Sequence, residues 1–408
     1  MAAQTTPFRW PDAWKDPARL ALLSETCIDC VVMAPDASLD AVAARAKQNG
    51  LTVIDPAAPP SDVVISSGVW PGVQSGQGPA AASAGPTGNP WVDSNGWLVR
   101  LERARHPDSR VWIDAQPKGP RLLPSTYVLA VTDAAACGGR WIVSLDGQLA
   151  GDLAQSKPEA LATWKRVTGA ARFFADHADW TQLAPAAVVG IVSDFAGDDE
   201  FMGRELLNLV SRTNQQYRII LKDRAVSGSF TGLRGVIYAD LAPPGPALRD
   251  RVLAYVQSGG MLITGPNWGA APGAPARNQL HPRYGLRTLG RGSVAFAKED
   301  LSDPYQVAND SAVLISHRYD LVQFWNGGAV ESYYTASPDK RRAVVHMMFF
   351  ADRGPASVSV RVAGSFRTGK LWTLDGVGPR AIEMEHDKEA VELHLPFVSQ
   401  YAAAELEG

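Results

Sequence analysis

The apolar residues of this chain change period once, near residue 284, and that change restricts the architecture more than any single motif. Before it, runs with helical spacing alternate with short β-branched runs. After it, apolar residues fall at every second position, with turn signals between the runs. The first pattern predicts α/β layers with parallel strands, and the second predicts antiparallel strands packed face to face.

The alternation begins early. A helical "DPARLALLSE" leads into "CIDCVVMAP", "LDAVAARAKQNG" into "LTVIDP", and the apolar runs "DVVISSGVWPG", "SRVWIDAQP" and "RWIVSLD" follow. The helix over 159–174 sets Leu161, Trp164, Val167, Ala171 and Phe174 on one face, which makes them core. A second α/β block carries four apolar runs, "AAVVGIVSD", "YRIILKD", "LRGVIYAD" and "GGMLITGP", in a small doubly wound, flavodoxin-like sheet. From 284 onward, helices are not expected. "ASVSVRV" places Val358, Val360 and Val362 on one face, and "VELHL" does the same with Val391, Leu393 and Leu395. A chain of 408 residues exceeds what one core usually serves, so the blocks read as three domains: 1–182, 183–283 and 284–408.

Composition removes several functions. A formal charge of -3, with no basic run interleaved with aromatics, argues against nucleic acid and anionic membranes as partners. No apolar stretch reaches the roughly 20 residues of a membrane span. Ala2-Ala3-Gln4-Thr5-Thr6 behind Met1 reads as the start of a periplasmic or secreted protein whose export signal has been removed; failing that, the chain is cytoplasmic. Cys27, Cys30 and Cys137 form no disulfide framework, and Cys27-Ile-Asp-Cys30 lacks the second ligand pair of a zinc site, so both read as small core residues. A nucleophile elbow is missing, the seven histidines are scattered, with His177 and His346 structural, and "GPNWGAAPGAPA" lacks a phosphate-loop lysine. No metal or cofactor is expected.

Three segments in order carry a resemblance: "GVIYADLAPPGPALRDRVLAYVQSGGMLITGP", then "DLVQFWNGGAVESYYTASPDKRRAVVHMMFF" with "GKLWTLDG", then "VELHLPFVSQYAAAELEG". Together they resemble clan A glycoside hydrolases of the β-galactosidase type, in which a (β/α) barrel precedes an amidotransferase-like domain and a C-terminal β-sandwich. The resemblance implies the fold class α/β plus β: a shortened TIM-like barrel, a class I amidotransferase-like domain and an antiparallel sandwich. It also implies a β-linked saccharide as ligand and oligomer contacts through the middle domain. Two departures matter. About 180 residues precede the second block where a full barrel takes about 250, and the Asn-Glu pair typical of the family is absent. Glutaminase activity is excluded because no cysteine lies in the middle block.

Glycoside cleavage needs two carboxyl groups, and barrels present them at the C-terminal ends of strands. Asp55, Asp114 and Asp146 hold such positions, with Asp93 and Glu102 nearby. Asp114 and Asp146 are the catalytic candidates, since each follows a tryptophan on an apolar strand and precedes an amide, Gln116 or Gln148; the alternative for each strand-end aspartate is a helix N-cap or turn residue. Trp70, Trp91, Trp97, Trp112 and Trp141 offer flat faces for sugar rings, two or three of them being core. In "NPWVDSNGW", Asn95-Gly96 predicts a turn that presents Trp91 and Trp97 on either side of Asp93, either a recognition loop or a packed structural corner. The reading is a glycosidase-like protein that hydrolyses or binds a saccharide; the alternative is a non-catalytic saccharide-binding or oligomer-forming protein.

Overall fold

The computed structural model describes residues 5–73, 91–117, 119, 121–277, 281–351, 357–396 and 398–408. Among these residues the first block holds six parallel strands: β1 (Pro7–Arg9), β2 (Cys30–Val32), β3 (Thr52–Ile54), β4 (Val63–Ser67), and, after the small antiparallel pair β5 (Gly72–Val73) and β6 (Val92–Asp93), β7 (Arg110–Asp114) and β8 (Arg140–Trp141). β1, β2 and β3 form one ladder and β4, β7 and β8 another. A bridge between Phe8 and Val143 joins them, so the strands follow one another around a ring in chain order, with no ladder between β3 and β4 among the described residues.

Strand alternation fills the ring. Cys30, Val32, Ile54, Val63, Trp112 and Ile142 make a core cluster of their own, while their neighbours Val31, Val111, Ile113 and Val143 belong to the larger cluster outside. A ring of six is narrower than the eight strands whose interior takes full layers of side chains. One indole, that of the fully buried Trp112, takes up much of it. The helices α1 (Asp40–Gln48), α2 (Gly96–Arg105), α3 (Pro124–Ala136), α4 (Gly147–Ala154) and α5 (Pro158–Asp176) occur in the same block. In α5, Trp164, Val167, Ala171 and Phe174 are buried as their spacing predicts, whereas Leu161 is exposed. Burial pushes the Cys30 thiol up to about 12, and Cys27 lies in the turn before β2 with its thiol also raised by burial; both are inert.

A two-residue strand, β9 (Ala184–Pro185), crosses to a later sheet, and the second block follows: β10 (Val189–Ser193), α6 (Glu200–Arg212), β11 (Tyr217–Leu221), β12 (Gly235–Tyr238), α7 (Pro246–Gln257), β13 (Met261–Thr264), β14 (Ala274–Pro275), β15 (Tyr284–Leu289), β16 (Gly292–Ala297) and α8 (Pro304–Ile315). The sheet order is β11-β10-β12-β13-β16-β15-β14, and β15 alone runs against the others, antiparallel to both β16 and β14. The sheet therefore continues past residue 283, and α8 contradicts the expectation that helices end at 284. The β15–β16 hairpin, turning at Gly290 with φ +62, looks like the start of an antiparallel run, yet β16 pairs parallel to β13.

The last block is all antiparallel: β17 (Val322–Phe324), β18 (Val330–Ala336), β19 (Arg342–Phe349), β20 (Val358–Ala363), β21 (Thr368–Thr373), β22 (Arg380–Ala381), β23 (Glu383–His386), β24 (Ala390–Leu395) and β25 (Tyr401–Glu407). Sheets β17-β20-β24-β23 and β22-β21-β25-β19-β18-β9 face each other. Val358, Val360, Val362, Val391, Leu393 and Leu395 meet Val345, Met347, Ala402 and Ala404 between them. The other face of the larger sheet, with Val344, Met348 and Ala403, packs on Leu129, Ala136, Phe174 and Trp180 from the first block. Covered on both sides, β18 and β19 lose the alternation of a half-exposed strand.

Candidate functional site

Parallel strands deliver their functional side chains at their C-terminal ends. β1 ends at Arg9 and β7 at Asp114, and the guanidinium donates to the Asp114 carboxylate at 2.5 Å. Each side chain is about a quarter exposed or less, at 20% and 25%. Oδ1 of Asp114 has no hydrogen-bond partner among the described residues. Gly68, just beyond β4, lies so close that a Cβ would meet Ile113 at 2.3 Å and the Asn95 side chain at 2.6 Å. Only glycine fits there.

Asp146 takes the helix-cap role, the alternative to catalysis at that position. It caps α4, its Oδ1 accepting from Leu149 N, while Oδ2 accepts from Leu122 N and the Tyr127 hydroxyl, each at 2.8 Å. It is 2% exposed. A carboxylate used this way is a structural cap. Asp55 accepts from Ala57 N in its own turn, and Glu102 lies buried on α2 beside Arg105 and His106.

The tryptophans divide. Trp112 is inside the ring, with no face free for a ligand. Trp141 is buried, with its ring 4.9 Å from Trp70, which also meets Tyr127 edge-on at 5.4 Å. The Trp70 indole donates to the backbone oxygen of Gln116, and Gln148 is exposed on α4, bonded to Asp152. Trp70 and Asp93 line one cleft of about 680 Å³ with Ser125, Thr126, Phe350 and Gln400. This is the size of a small-ligand cleft, with the half-buried Trp70 and several hydrogen-bonding groups along it.

The 91–97 segment is a three-way joint. Asn95-Gly96 opens α2 instead of a hairpin turn. The backbone and side-chain N–H groups of Asn95 donate to Asp133 of α3 at 2.6 and 2.9 Å, and its side chain exchanges two bonds with the backbone of Val69. Ser94 donates to Glu331 of β18 at 3.0 Å, and Arg212 of α6 lies 4.8 Å over the Trp91 ring. Trp97 donates to Ser94 O and packs against two cores at once. The segment joins all three blocks, and Asn95, Trp91 and Trp97 are committed to that joint.

The joint carries unusual charge. Burial, and then the nearby Glu331, push the Asp133 carboxyl up to about 7; burial raises Glu331 too, opposed by Arg212 and Ser94. The unfolded chain releases the Asp133 proton near pH 4. The stability tied to that proton is complete below about pH 4 and is lost as pH rises through about 7. Asp133→Asn should therefore gain on wild type as pH rises from 4 to 7, by a few kcal/mol in all. Urea melts of both proteins at pH 5 and pH 8 measure it; an equal difference at the two pH values would contradict the assignment.

A cluster not foreseen from the sequence lies at the C-terminal ends of β10, β11 and β12. Lys222 Nζ is 2.6 Å from Asp194, 2.8 Å from Asp240 and 3.3 Å from Asp199. Burial opposes the lysine's charge, but hydrogen bonds to Asp194 and Asp240 outweigh it and raise the pKa. Burial pushes Asp240 up to about 6 despite Lys222. Ligand atoms of the three carboxylates lie within 4.8 Å of one another, a spacing that suits a cation, and Lys222 supplies the positive charge. The signal was present in "VSDF", "ILKD" and "YADL", where successive apolar runs each end in a charged residue.

No protein-family model matches the chain. No curated protein matches it in sequence. Among solved structures it is similar to an α-L-fucosidase isoenzyme 2 from Paenibacillus thiaminolyticus, at TM-score 0.51 and 10% identity, over 73% of this chain and 60% of that one. A rhamnosidase from Novosphingobium sp. PP1Y gives TM-score 0.50 and 11% identity over 90% and 38%, and a cold-adapted β-galactosidase from Rahnella sp. R3 gives 0.49 and 10% over 90% and 65%. The chain spans less than two thirds of each of these proteins. At such identities the likeness is one of fold: the chain is glycoside hydrolase-like in architecture. Among the described residues no helix is long and apolar enough to cross a membrane.

Proposed function

We propose that this glycoside hydrolase-like chain binds a saccharide without cleaving it. The observation that carries the reading is the cleft that the half-buried Trp70 lines beside Asp93, Thr126 and Gln400. Aromatic faces stack on the apolar side of a sugar ring while amide, hydroxyl and carboxylate groups bind its hydroxyls. Hydrolysis would need a second carboxyl group opposite the first, and the commitment of Asp146 to its helix cap argues against the pair inferred from sequence. In this reading the ring of six strands is a shortened TIM-like barrel and the seven-stranded sheet an amidotransferase-like domain able to carry oligomer contacts. An exported protein would meet such a ligand outside the cytoplasm.

Calorimetry against a panel of β-linked oligosaccharides tests it. Thr126→Trp fills the cleft without removing a packed ring, and Trp70→Ala removes the platform; each should weaken binding at least about tenfold, or 1.4 kcal/mol. If no saccharide binds, or both variants bind as wild type does, the reading fails. A hydrolytic reading is favoured by one observation, the position of the Asp114 carboxylate, a quarter exposed, at a strand end. Release of an aryl group from β-glycosides by wild type, lost in Asp114→Asn, would establish it.

A further inference from the structure

One wall of the cleft proposed for a saccharide grows out of the buried joint. Trp70, Pro71, Gly72 and Val73 line it from one segment and Asp93 from another, and the two segments pair as β5 and β6, with Gly72 opposite Asp93. Asn95 ties their bases together. Its side chain accepts from Val69 N at 2.8 Å and donates to Val69 O at 2.9 Å, which fixes the peptide just before Trp70. Asn95 is held in turn by Asp133 of α3, one oxygen of which accepts from Asn95 N at 2.6 Å and from its Nδ2 at 2.9 Å. Ser94, between Asp93 and Asn95, donates to Glu331 of β18. Leu129, one turn before Asp133 on α3, also lines the cleft.

A segment anchored on two buried carboxyl groups responds to the charge on either. Neutral Asp133 keeps both bonds from Asn95 and sets no second charge beside Glu331. Ionised, it repels Glu331 where both are buried and water screens them little, so the anchors of residues 94 and 95 are driven apart. We infer that Asp133 is a positioning residue for the cleft: through Asn95 it sets Trp70, and its ionisation loosens that wall and weakens saccharide binding. The ligand in this inference rests on the saccharide reading; the movement of Trp70 does not. Burial, and then the charge of Glu331, push Asp133 up to about 7. Binding is therefore strongest with the carboxyl protonated and falls as pH rises through about 7. The elements around Asp133 bring other charges. Arg212 of α6 and Arg100 of α2 act on Glu331, and Arg103 of α2 donates to Cys137 O. Arg140 of β8 is bonded to Gly139 O and His177 of α5 to Phe173 O. Burial pushes the Cys137 thiol up to about 12 and His346 of β19 down to about 3, so both stay uncharged at neutral pH.

Fluorine NMR of the whole chain labelled with fluorotryptophan tests the movement without a ligand, the Trp70 resonance being assigned by its loss in Trp70→Phe. In wild type that resonance should shift with one midpoint near pH 7. Asp133→Asn keeps an oxygen for both Asn95 bonds and takes no charge, so there the shift should vanish. Glu331→Gln removes the neighbouring charge and should move the midpoint to lower pH; should Asp133→Asn fail to fold, an unchanged midpoint in Glu331→Gln overturns the inference. So does a Trp70 resonance independent of pH in wild type, or an equal shift in Asp133→Asn, which assigns the titration to another group such as His177. Calorimetry with the tightest-binding β-linked oligosaccharide of the panel tests the link to binding. Its affinity for wild type should fall at least about threefold between about pH 6 and pH 8 and stay level in Asp133→Asn. A moving Trp70 with level affinity in wild type overturns the link. If no oligosaccharide binds, the saccharide reading falls, and the fluorine titration alone decides whether Asp133 positions Trp70.

Discussion

Lys222→Met should lower stability at pH 7.5 by about 3–5 kcal/mol, the cost of breaking a buried ion pair by removing one partner. The lysine is the one cation within reach of Asp194, Asp199 and Asp240 among the described residues, and its removal leaves the buried Asp240 and Asp199 beside the half-exposed Asp194 with no counter-charge. Methionine keeps most of the volume, so the loss reports charge more than packing. Without the lysine, burial and mutual repulsion push the carboxyl groups up further than the 6 already reached by Asp240. A raised carboxyl contributes stability at low pH and loses it as pH rises. The deficit should therefore shrink between pH 7.5 and pH 5. Urea denaturation at both pH values measures it; a loss below about 1 kcal/mol, or one independent of pH, would show that the cluster is solvated and slack.

Trp112→Ala should cost a similar 3–5 kcal/mol, for a different reason. Its indole fills the interior of the six-stranded ring, against Cys30, Val32, Ile54, Val63 and Ile142. β7, paired with β4 on one side and β8 on the other, cannot collapse into the space a large side chain leaves, so the cavity persists. Trp112→Phe should lose much less, because it keeps an aromatic ring and removes an indole N–H that has no acceptor among the described residues. The comparison is read from the midpoint shift in urea at unchanged slope. If alanine cost no more than phenylalanine, the ring would be open and wet inside, contrary to its burial.

Periodicity carried much of the fold. The alternation in "ASVSVRV" and "VELHL" placed six residues that meet in the sandwich core, and helical spacing identified the buried face of α5. It failed at 284–315 because a hairpin and a helix attached to a parallel sheet have the same local pattern as elements of a new domain. The candidate site was less legible. Asp114 does lie at a strand end, but Arg9, its partner, is 105 residues away. Asp146 looked identical in sequence, since a strand-end aspartate before a helix suits catalysis and capping equally. Nothing local shows that Tyr127 and Leu122 use its second oxygen.

The sequence by itself determined which residues avoid water and with what period, because burial of apolar faces is a property each segment carries alone. Only the tertiary structure decided what the polar residues do, because their roles depend on partners brought together across the chain. Asn95 and Ser94 became links to Asp133 and Glu331, and Lys222 became the centre of three carboxylates. A buried polar group must find its partner wherever the fold supplies one, and that requirement is not encoded in local spacing.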